Sequence, residues 1–242
     1  MSSEGEDDVG VFDLFPPSED IEIYKYNFGD LELSIRGQEL QNQNIQPSTG
    51  LLPWPAASIM SSFIAKHNEL FVDKNVLELG TGVGICGLIA SRYARSVLLS
   101  DGDTATFDQL NKNIELNSHL YNVNGPSSSS LSQSKKPKAI KLRWGKDETL
   151  EQLKSDLCFQ PYDIIIGSDL IYQDSSIEPL FYTVNQLLAE TSDATFYLSF
   201  LDRKNHLPTV ERVSKQFGFN LSYLFKQILS NNNKVILLKI VF

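Results

Sequence analysis

The run Val76-Leu-Glu-Leu-Gly80-Thr-Gly82-Val-Gly84, with Ile85-Cys-Gly87-Leu-Ile-Ala behind it, restricts the fold more than any other part of the chain. A short apolar segment breaks into glycines at every second position, and an apolar stretch with helical spacing follows. This pattern predicts a strand, a tight loop and a helix, the opening unit of a βαβ fold. Glycines remove side chains, so a ligand can lie against backbone N–H groups. The start of the predicted helix, Ile85–Ala94, adds positive potential at the same place. A tight glycine turn with no ligand would satisfy the same pattern, so the loop needs support from elsewhere in the chain.

The alternation continues on both sides. IEIYKYNF and LELSIRG flank Gly29-Asp30 and predict a β-hairpin over residues 20–36. A polar loop over 37–50 leads to a helix from Pro53 to Leu70. Strands are predicted at Val76–Leu79, Ser96–Ser100, Ala139–Leu142, Asp163–Gly167, Thr195–Phe200, Asn220–Gln227 and Lys234–Val241. Helices fall at Thr104–Asn117, Ile177–Glu190 and Leu207–Phe217. Strands separated by helices imply right-handed crossovers and a largely parallel sheet. The β-branched run Asp163-Ile-Ile-Ile-Gly167 suits a strand buried on both faces. The last two strands share only a Ser-Asn-Asn-Asn turn, so they must pair antiparallel.

Two segments stand apart from this pattern. Residues 1–20 hold seven acids and no Lys or Arg, so most of the net charge of −9 lies there and the rest carries about −2. Residues 1–19 therefore read as an acidic, loosely attached tail, and 20–242 as one domain. Residues 122–138 form a Ser-rich, low-complexity insert, expected as a flexible surface loop. The near-neutral body shows no basic stripe for a phosphate backbone, which argues against nucleic acid as a partner. No run of apolar residues is long enough to span a bilayer. The acidic start resembles neither a signal nor a transit peptide, giving a cytoplasmic, possibly also nuclear, expectation. Cys86 and Cys158 fit no metal spacing, so no metal is expected and both read as buried reduced thiols. His67, His119 and His206 form no cluster and read as surface residues.

Four further signals can be placed on this scaffold. Asp101 ends the second strand, 17 residues past Gly84, where a carboxylate can accept from both ribose hydroxyls. Asp101-Gly102-Asp103 could equally be a turn and helix cap, a role that suits Asp103 better. Trp54 lies in Leu52-Pro-Trp-Pro-Ala56, and Trp144 follows the third strand in Leu142-Arg-Trp-Gly145; either could simply pack in the core. Ser168-Asp169-Leu-Ile-Tyr172 closes the fourth strand. Ligands of open α/β sheets collect at the carboxyl ends of the strands. Gly80, Asp101, Trp144 and Asp169 should all meet on that rim.

Taken together, these residues resemble a known family. The E-x-G-x-G-x-G run from Glu78 to Gly84 is closer to the loop of class I methyltransferases than to the G-x-G-x-x-G of dehydrogenases. With Trp54-Pro-Ala-Ala57, Asp101, Leu142-Arg-Trp-Gly145 and Asp169-Leu-Ile-Tyr172, the chain resembles methyltransferase family sixteen, seven-strand protein lysine methyltransferases, over residues 20–242. The acidic tail and Ser-rich insert depart from the pattern but touch no motif. The resemblance implies a Rossmann-like α/β fold: seven strands, mostly parallel, an antiparallel C-terminal hairpin, helices on both faces, and the N-terminal β-hairpin as an extension. It implies S-adenosyl-L-methionine as cofactor and, from a monomer, methyl transfer to a lysine of a protein substrate. Gly80, Gly82 and Gly84 would approach the amino-acid part of the cofactor. Glu78 would belong to the cofactor-binding set and Asp101 would hold the ribose. Trp144 would line the adenine pocket, Ser168 would lie beside the cofactor, and Trp54 would close the amino-acid end. Asp169 and Tyr172 would orient the incoming amine; otherwise they cap a loop and pack on the sheet edge.

Other readings stay open at this stage. Related branches act on arginine or histidine. A nucleic-acid amino-methyltransferase would carry Asn/Asp-Pro-Pro-Tyr/Phe after the fourth strand, where this chain has Ser-Asp-Leu-Ile-Tyr. A nicotinamide oxidoreductase would need a donor such as a Tyr-x-x-x-Lys helix, which is missing. A small-molecule methyltransferase fits the same residues. A non-catalytic module that kept the fold is opposed by the intact Glu78, Asp101 and Asp169.

Overall fold

The computed structural model describes residues 21–38, 55–122, 136–156, 159–228 and 234–242. Trp54, Cys158, the acidic tail, most of the Ser-rich insert and the turn over 229–233 lie outside the described residues.

Strand β1 (Ile21–Phe28) turns at Gly29 into β2 (Leu31–Gln38), the predicted antiparallel hairpin. Helix α1 (Pro55–Lys66) begins on a proline and ends earlier than the sequence suggests, Asn68–Leu70 being a separate 3₁₀ turn. Then come β3 (Asn75–Leu79), α2 (Ile85–Ala90), β4 (Ser96–Asp101), α3 (Phe107–Leu116), β5 (Lys138–Lys141) and α4 (Asp147–Lys154). The rest is β6 (Ile164–Ser168), α5 (Ile177–Leu187), β7 (Thr195–Asp202), α6 (Leu207–Gln216), β8 (Asn220–Ile228) and β9 (Lys234–Val241).

The seven-stranded sheet runs β5-β4-β3-β6-β7-β9-β8. The first five are parallel; β9 is reversed and lies between β7 and β8. The chain winds outward from β3 through β4 to β5, then returns to β6 on the other side. That reversal opens a crevice above β3 and β6 at their carboxyl ends. Buried residues alternate faces along these strands. Val76, Ile164 and Ile166 join the core beneath α1, α2 and α3, while Leu77, Leu79 and Ile165 join the core beneath α5 and α6. The expectation of a β6 buried on both faces is borne out.

Two asparagines attach the hairpin. Asn113 on α3 and Asn117 just past its end, both fully buried, treat the backbone of β2 as a paired strand would. Asn113 Oδ1 accepts from Arg36 N (2.8 Å) and its Nδ2 donates to Arg36 O (3.1 Å) and to Val83 O (2.9 Å). Asn117 Oδ1 accepts from Ser34 N (2.9 Å) and its Nδ2 donates to Ser34 O (2.7 Å). Leu33 and Ile35, between and beside these contacts, have no exposed surface. A buried carboxamide can use both its ends in this way only against a backbone amide with a matching donor and acceptor.

Three sequence expectations need correction. Helix α2 stops at Ala90, where the buried Ser91 hydroxyl bonds Leu88 O (2.7 Å), so it is six residues long and its dipole is weak. Helix α4 was not anticipated: among its charged residues only Leu150 and Leu153 face the core, too few to register as a periodic stripe. His206 is buried, contrary to the surface role given to all three histidines. Its backbone N donates to Asp202 Oδ1 (2.7 Å), and its ring lies 3.9 Å from Asp202 and from Asp174. Among the described residues, no helix is long and apolar enough to cross a membrane and no cluster has metal-ligating composition.

Candidate functional site

Strands β3, β4 and β6 reach the carboxyl rim beside residues the sequence singled out. Strand β3 runs into the glycine loop, where Gly80, Gly82 and Gly84 have φ of +58°, +53° and +94°. These are left-handed conformations that a side chain strains. Space is also short: a Cβ on Gly80 would lie 2.5 Å from Leu170 Cδ2 and 3.1 Å from Trp144 Cζ2. The loop is therefore a bare backbone floor beneath an indole wall. Its potential comes from individual N–H groups, since α2 is too short to add much.

Two carboxylates organise this floor. Glu78, the penultimate residue of β3, is buried; its Oε2 accepts from Thr81 Oγ1 (2.6 Å) and Gly87 N (2.9 Å). Burial pushes its carboxyl up to about 7, against the lowering effect of those hydrogen bonds. Asp101 ends β4 with Oδ2 accepting from Gly82 N (3.0 Å) and Oδ1 from Asp103 N (2.9 Å). It faces the cavity above the glycine turn, and burial raises its carboxyl above the ordinary range. Asp103 caps the next turn, accepting from Ala105 N (2.9 Å), as the sequence suggested.

The opposite side comes from β6 and β7. Ser168 Oγ accepts from the buried Cys86 thiol at 3.5 Å; burial, then the Glu78 charge, pushes that thiol well up, so it stays protonated. Asp169 has φ +54° and a side chain only 2% exposed. Its Oδ1 accepts from Leu201 N (3.0 Å), its Oδ2 from Ala56 N (3.3 Å), and Arg203 Nη1 lies 3.6 Å from Oδ1. Ser199 Oγ donates to Ala56 O (3.0 Å), so the first turn of α1 is held from both its N–H and C=O sides. Tyr172 stands at the mouth, 54% exposed.

All of these line one cavity of about 600 Å³. Glu78, Gly80, Gly82, Asp101, Trp144, Ser168, Asp169 and Tyr172 take part; Gly84 packs just beneath, where a Cβ would meet Leu110 Cδ1 at 2.6 Å. Trp144 is half-buried and combines both of its anticipated roles, packing on the core and walling the cavity. The sequence reading missed Arg143, Gln173, Ser176, Pro179 and Arg203, which also line it. Arg203 follows β7 directly, and the rim rule that found Asp101 and Asp169 could have found it. The volume suits a nucleoside-sized ligand. Gly80 supplies the bare backbone and Asp101 the acceptor that a ribose-bearing molecule requires. The site can bind such a ligand, exclude water from it and admit a second group past Tyr172.

Comparison with known proteins agrees with this arrangement. A family model described as lysine methyltransferase matches residues 35–216, starting inside β2 and ending at α6. The Xenopus laevis histone-arginine methyltransferase METTL23 is 29% identical over 152 residues, covering 62% of this chain and 57% of that protein. The Arabidopsis thaliana calmodulin-lysine N-methyltransferase is 29% identical over 164 residues, 66% of this chain and 48% of that one. The chain thus spans about half the length of these curated relatives. Among solved structures, the T. thermophilus 16S rRNA N2 G1207 methyltransferase in complex with AdoMet and guanosine superposes with a TM-score of 0.57 at 15% identity, over 90% of this chain and 50% of that one. That likeness concerns the fold.

Proposed function

This chain belongs to the lysine methyltransferase family, and we propose that it transfers a methyl group from S-adenosylmethionine to a lysine side chain of a protein. The observation that carries this reading is the convergence of the glycine loop, Asp101, Trp144 and the Ser168–Tyr172 segment on one cavity. The family match supports methyl transfer to lysine.

When bound, S-adenosylmethionine supplies a methyl group activated by a sulfonium. Asp101 would hold its ribose, the glycine loop its amino-acid end and Trp144 its adenine, with Glu78 and Ser168 on the floor. Trp54, just before α1, would close the amino-acid end. The protein's share of the chemistry is alignment and desolvation. A lysine amine must arrive neutral, yet with a free pKa near 10.4 only roughly one part in two thousand is neutral at pH 7. Desolvation at the mouth beside Tyr172 favours the neutral form. The Tyr172 ring would orient the amine through its face and hydroxyl. The Asp169 side chain is almost wholly buried and its two oxygens hold Ala56 N at the start of α1 and Leu201 N in β7, so we assign Asp169 a positioning role.

The test is incubation of the purified protein with radiolabelled cofactor and a cell extract, followed by mass spectrometry of the labelled species. Label on protein lysine is the expected result; label confined to RNA or metabolites overturns the substrate class. Arginine is the second reading, favoured by the arginine-directed relative, and the same spectra separate it.

A further inference from the structure

The glycine loop is fixed from outside as well as from within. Val83 sits between two left-handed glycines, Gly82 and Gly84. Glycine takes positive and negative φ about equally readily, so these neighbours do not decide which way the Val83 carbonyl faces. Two hydrogen bonds decide it. The following amide, Gly84 N, donates to Thr81 O (2.9 Å) inside the loop. The carbonyl itself accepts from Asn113 Nδ2 (2.9 Å), 30 residues further on in α3. One residue earlier, Gly82 N donates to Asp101 Oδ2 (3.0 Å). Val83 and Asp101 both line the cavity.

The hairpin sets which end of the Asn113 carboxamide meets the loop. Arg36 N can only donate and Arg36 O can only accept, so the first takes Oδ1 (2.8 Å) and the second Nδ2 (3.1 Å). Nδ2 carries two hydrogens, and the other one is thereby directed to Val83 O. A carboxamide turned the other way would set Oδ1 against two carbonyls. A path of hydrogen bonds and one peptide link thus runs from the backbone of β2 through Asn113 and Val83 to Gly82 and Asp101. Asn117 supplies the contrast. It grips Ser34 N and Ser34 O in the same way, but its Nδ2 also donates to Asn113 O in the helix behind it (2.8 Å) rather than to the loop.

We propose that Asn113 is a positioning residue for the cofactor, through which docking of the hairpin and filling of the cavity favour one another. The proposal rests on the reading that S-adenosylmethionine occupies the cavity. A ligand held against the glycine loop selects the loop conformation that Asn113 clamps, and a docked hairpin holds Asn113 ready to clamp it. Such coupling is reciprocal, so each event tightens the other by the same factor. Asn117 tethers the hairpin without reaching the loop, so its share in the coupling is small.

The test compares N113D with N117D in the full-length protein. Each change adds one carboxylate and removes an Nδ2 donor from β2, but N113D alone takes a donor from the glycine loop. Calorimetry with S-adenosylhomocysteine should show N113D binding at least about tenfold more weakly than the parent, and N117D within about threefold of it. Hydrogen exchange followed by mass spectrometry supplies the reciprocal measurement. Saturating S-adenosylhomocysteine should slow exchange in the peptide holding Arg36 by about fivefold or more in the parent and in N117D, and leave it unchanged in N113D. Strand β8, at the edge of the sheet opposite β5, should respond by less than about twofold in all three, a pattern that a purely structural role for Asn113 does not produce. Equal affinities in N113D and N117D, or a parent hairpin whose exchange ignores the ligand, overturn the proposal. Should N113D fail to fold, the parent decides alone: slowing at Arg36 without slowing at β8 supports the coupling, and slowing at both or neither overturns it. A parent that binds no S-adenosylhomocysteine overturns the methyl-transfer reading, and the coupling with it.

Discussion

The two ends of the cavity are built differently. At the glycine-loop end, Glu78 bonds Thr81 and Gly87, and Asp101 bonds Gly82 and Asp103: every partner lies within 19 residues. At the β6 end, Asp169 takes its partners from Leu201 and from Ala56, 32 and 113 residues away. The first end is a local motif that folds its own loop. The second exists only once α1, β6 and β7 have come together. Ligand binding and stability should therefore respond separately at the first end and jointly at the second.

The largest effect is expected at Asp101. Replacing it with Ala removes an acceptor for two ribose hydroxyls at about 1.5–3 kcal/mol each, so cofactor affinity by calorimetry should fall by roughly 100-fold or more. Its two backbone donors face the cavity and can take water, so thermal stability should barely change. Affinity within tenfold of the parent would break the comparison.

Next comes Glu78. Its carboxyl rises from an ordinary 4.5 to about 7 on folding. The folded state therefore holds its proton across a window in which the unfolded chain has released it. Stability from this group is present below pH 4.5, is lost as pH rises to about 7, and then levels off; the loss is about 3 kcal/mol. Chemical denaturation of Glu78→Gln at each pH should flatten that slope. A parental slope in the variant would contradict the assignment.

Asp169→Ala should lower both properties together. Two backbone N–H groups lose their acceptor, costing about 2 kcal/mol in denaturation, and activity should fall as the start of α1 and the end of β7 loosen. Retained stability with lost activity would make Asp169 a direct partner of the acceptor and erase the contrast between the two ends. The smallest effect is expected for Tyr172→Phe. Only a hydroxyl at an exposed position is removed, so kcat/KM should drop by less than about tenfold, with cofactor affinity unchanged.

The same contrast decides what the sequence could tell. Strand order, the glycine loop and the rim acids follow from patterns a few residues long, and each stands where those patterns put it, whereas helix α4, with two apolar contacts, left no such pattern. The antiparallel closing pair was forced by its short link, yet nothing local said that β9 would insert between β7 and β8. The partners of Asp169 and the burial of His206 beneath Asp202 and Asp174 depend on loops that meet only in the folded chain. Asn113 and Asn117 looked like ordinary polar positions on an amphipathic helix, because a side chain that imitates a β-strand's edge carries no mark in its own neighbourhood.

Those two carboxamides decide where this polypeptide can be shortened. Trimming everything before residue 39 would look harmless, since it spares every residue that lines the cavity. It would strip both amides of their β2 partners, leaving their Nδ2 groups on Val83 O and Asn113 O, and would remove Leu33 and Ile35 from the core they seal. It would also free Asn113, whose Nδ2 clamps the Val83 carbonyl, to shift just where the glycine turn must keep its shape. The smallest piece that still folds therefore begins at the hairpin, upstream of every motif that would be used to define it.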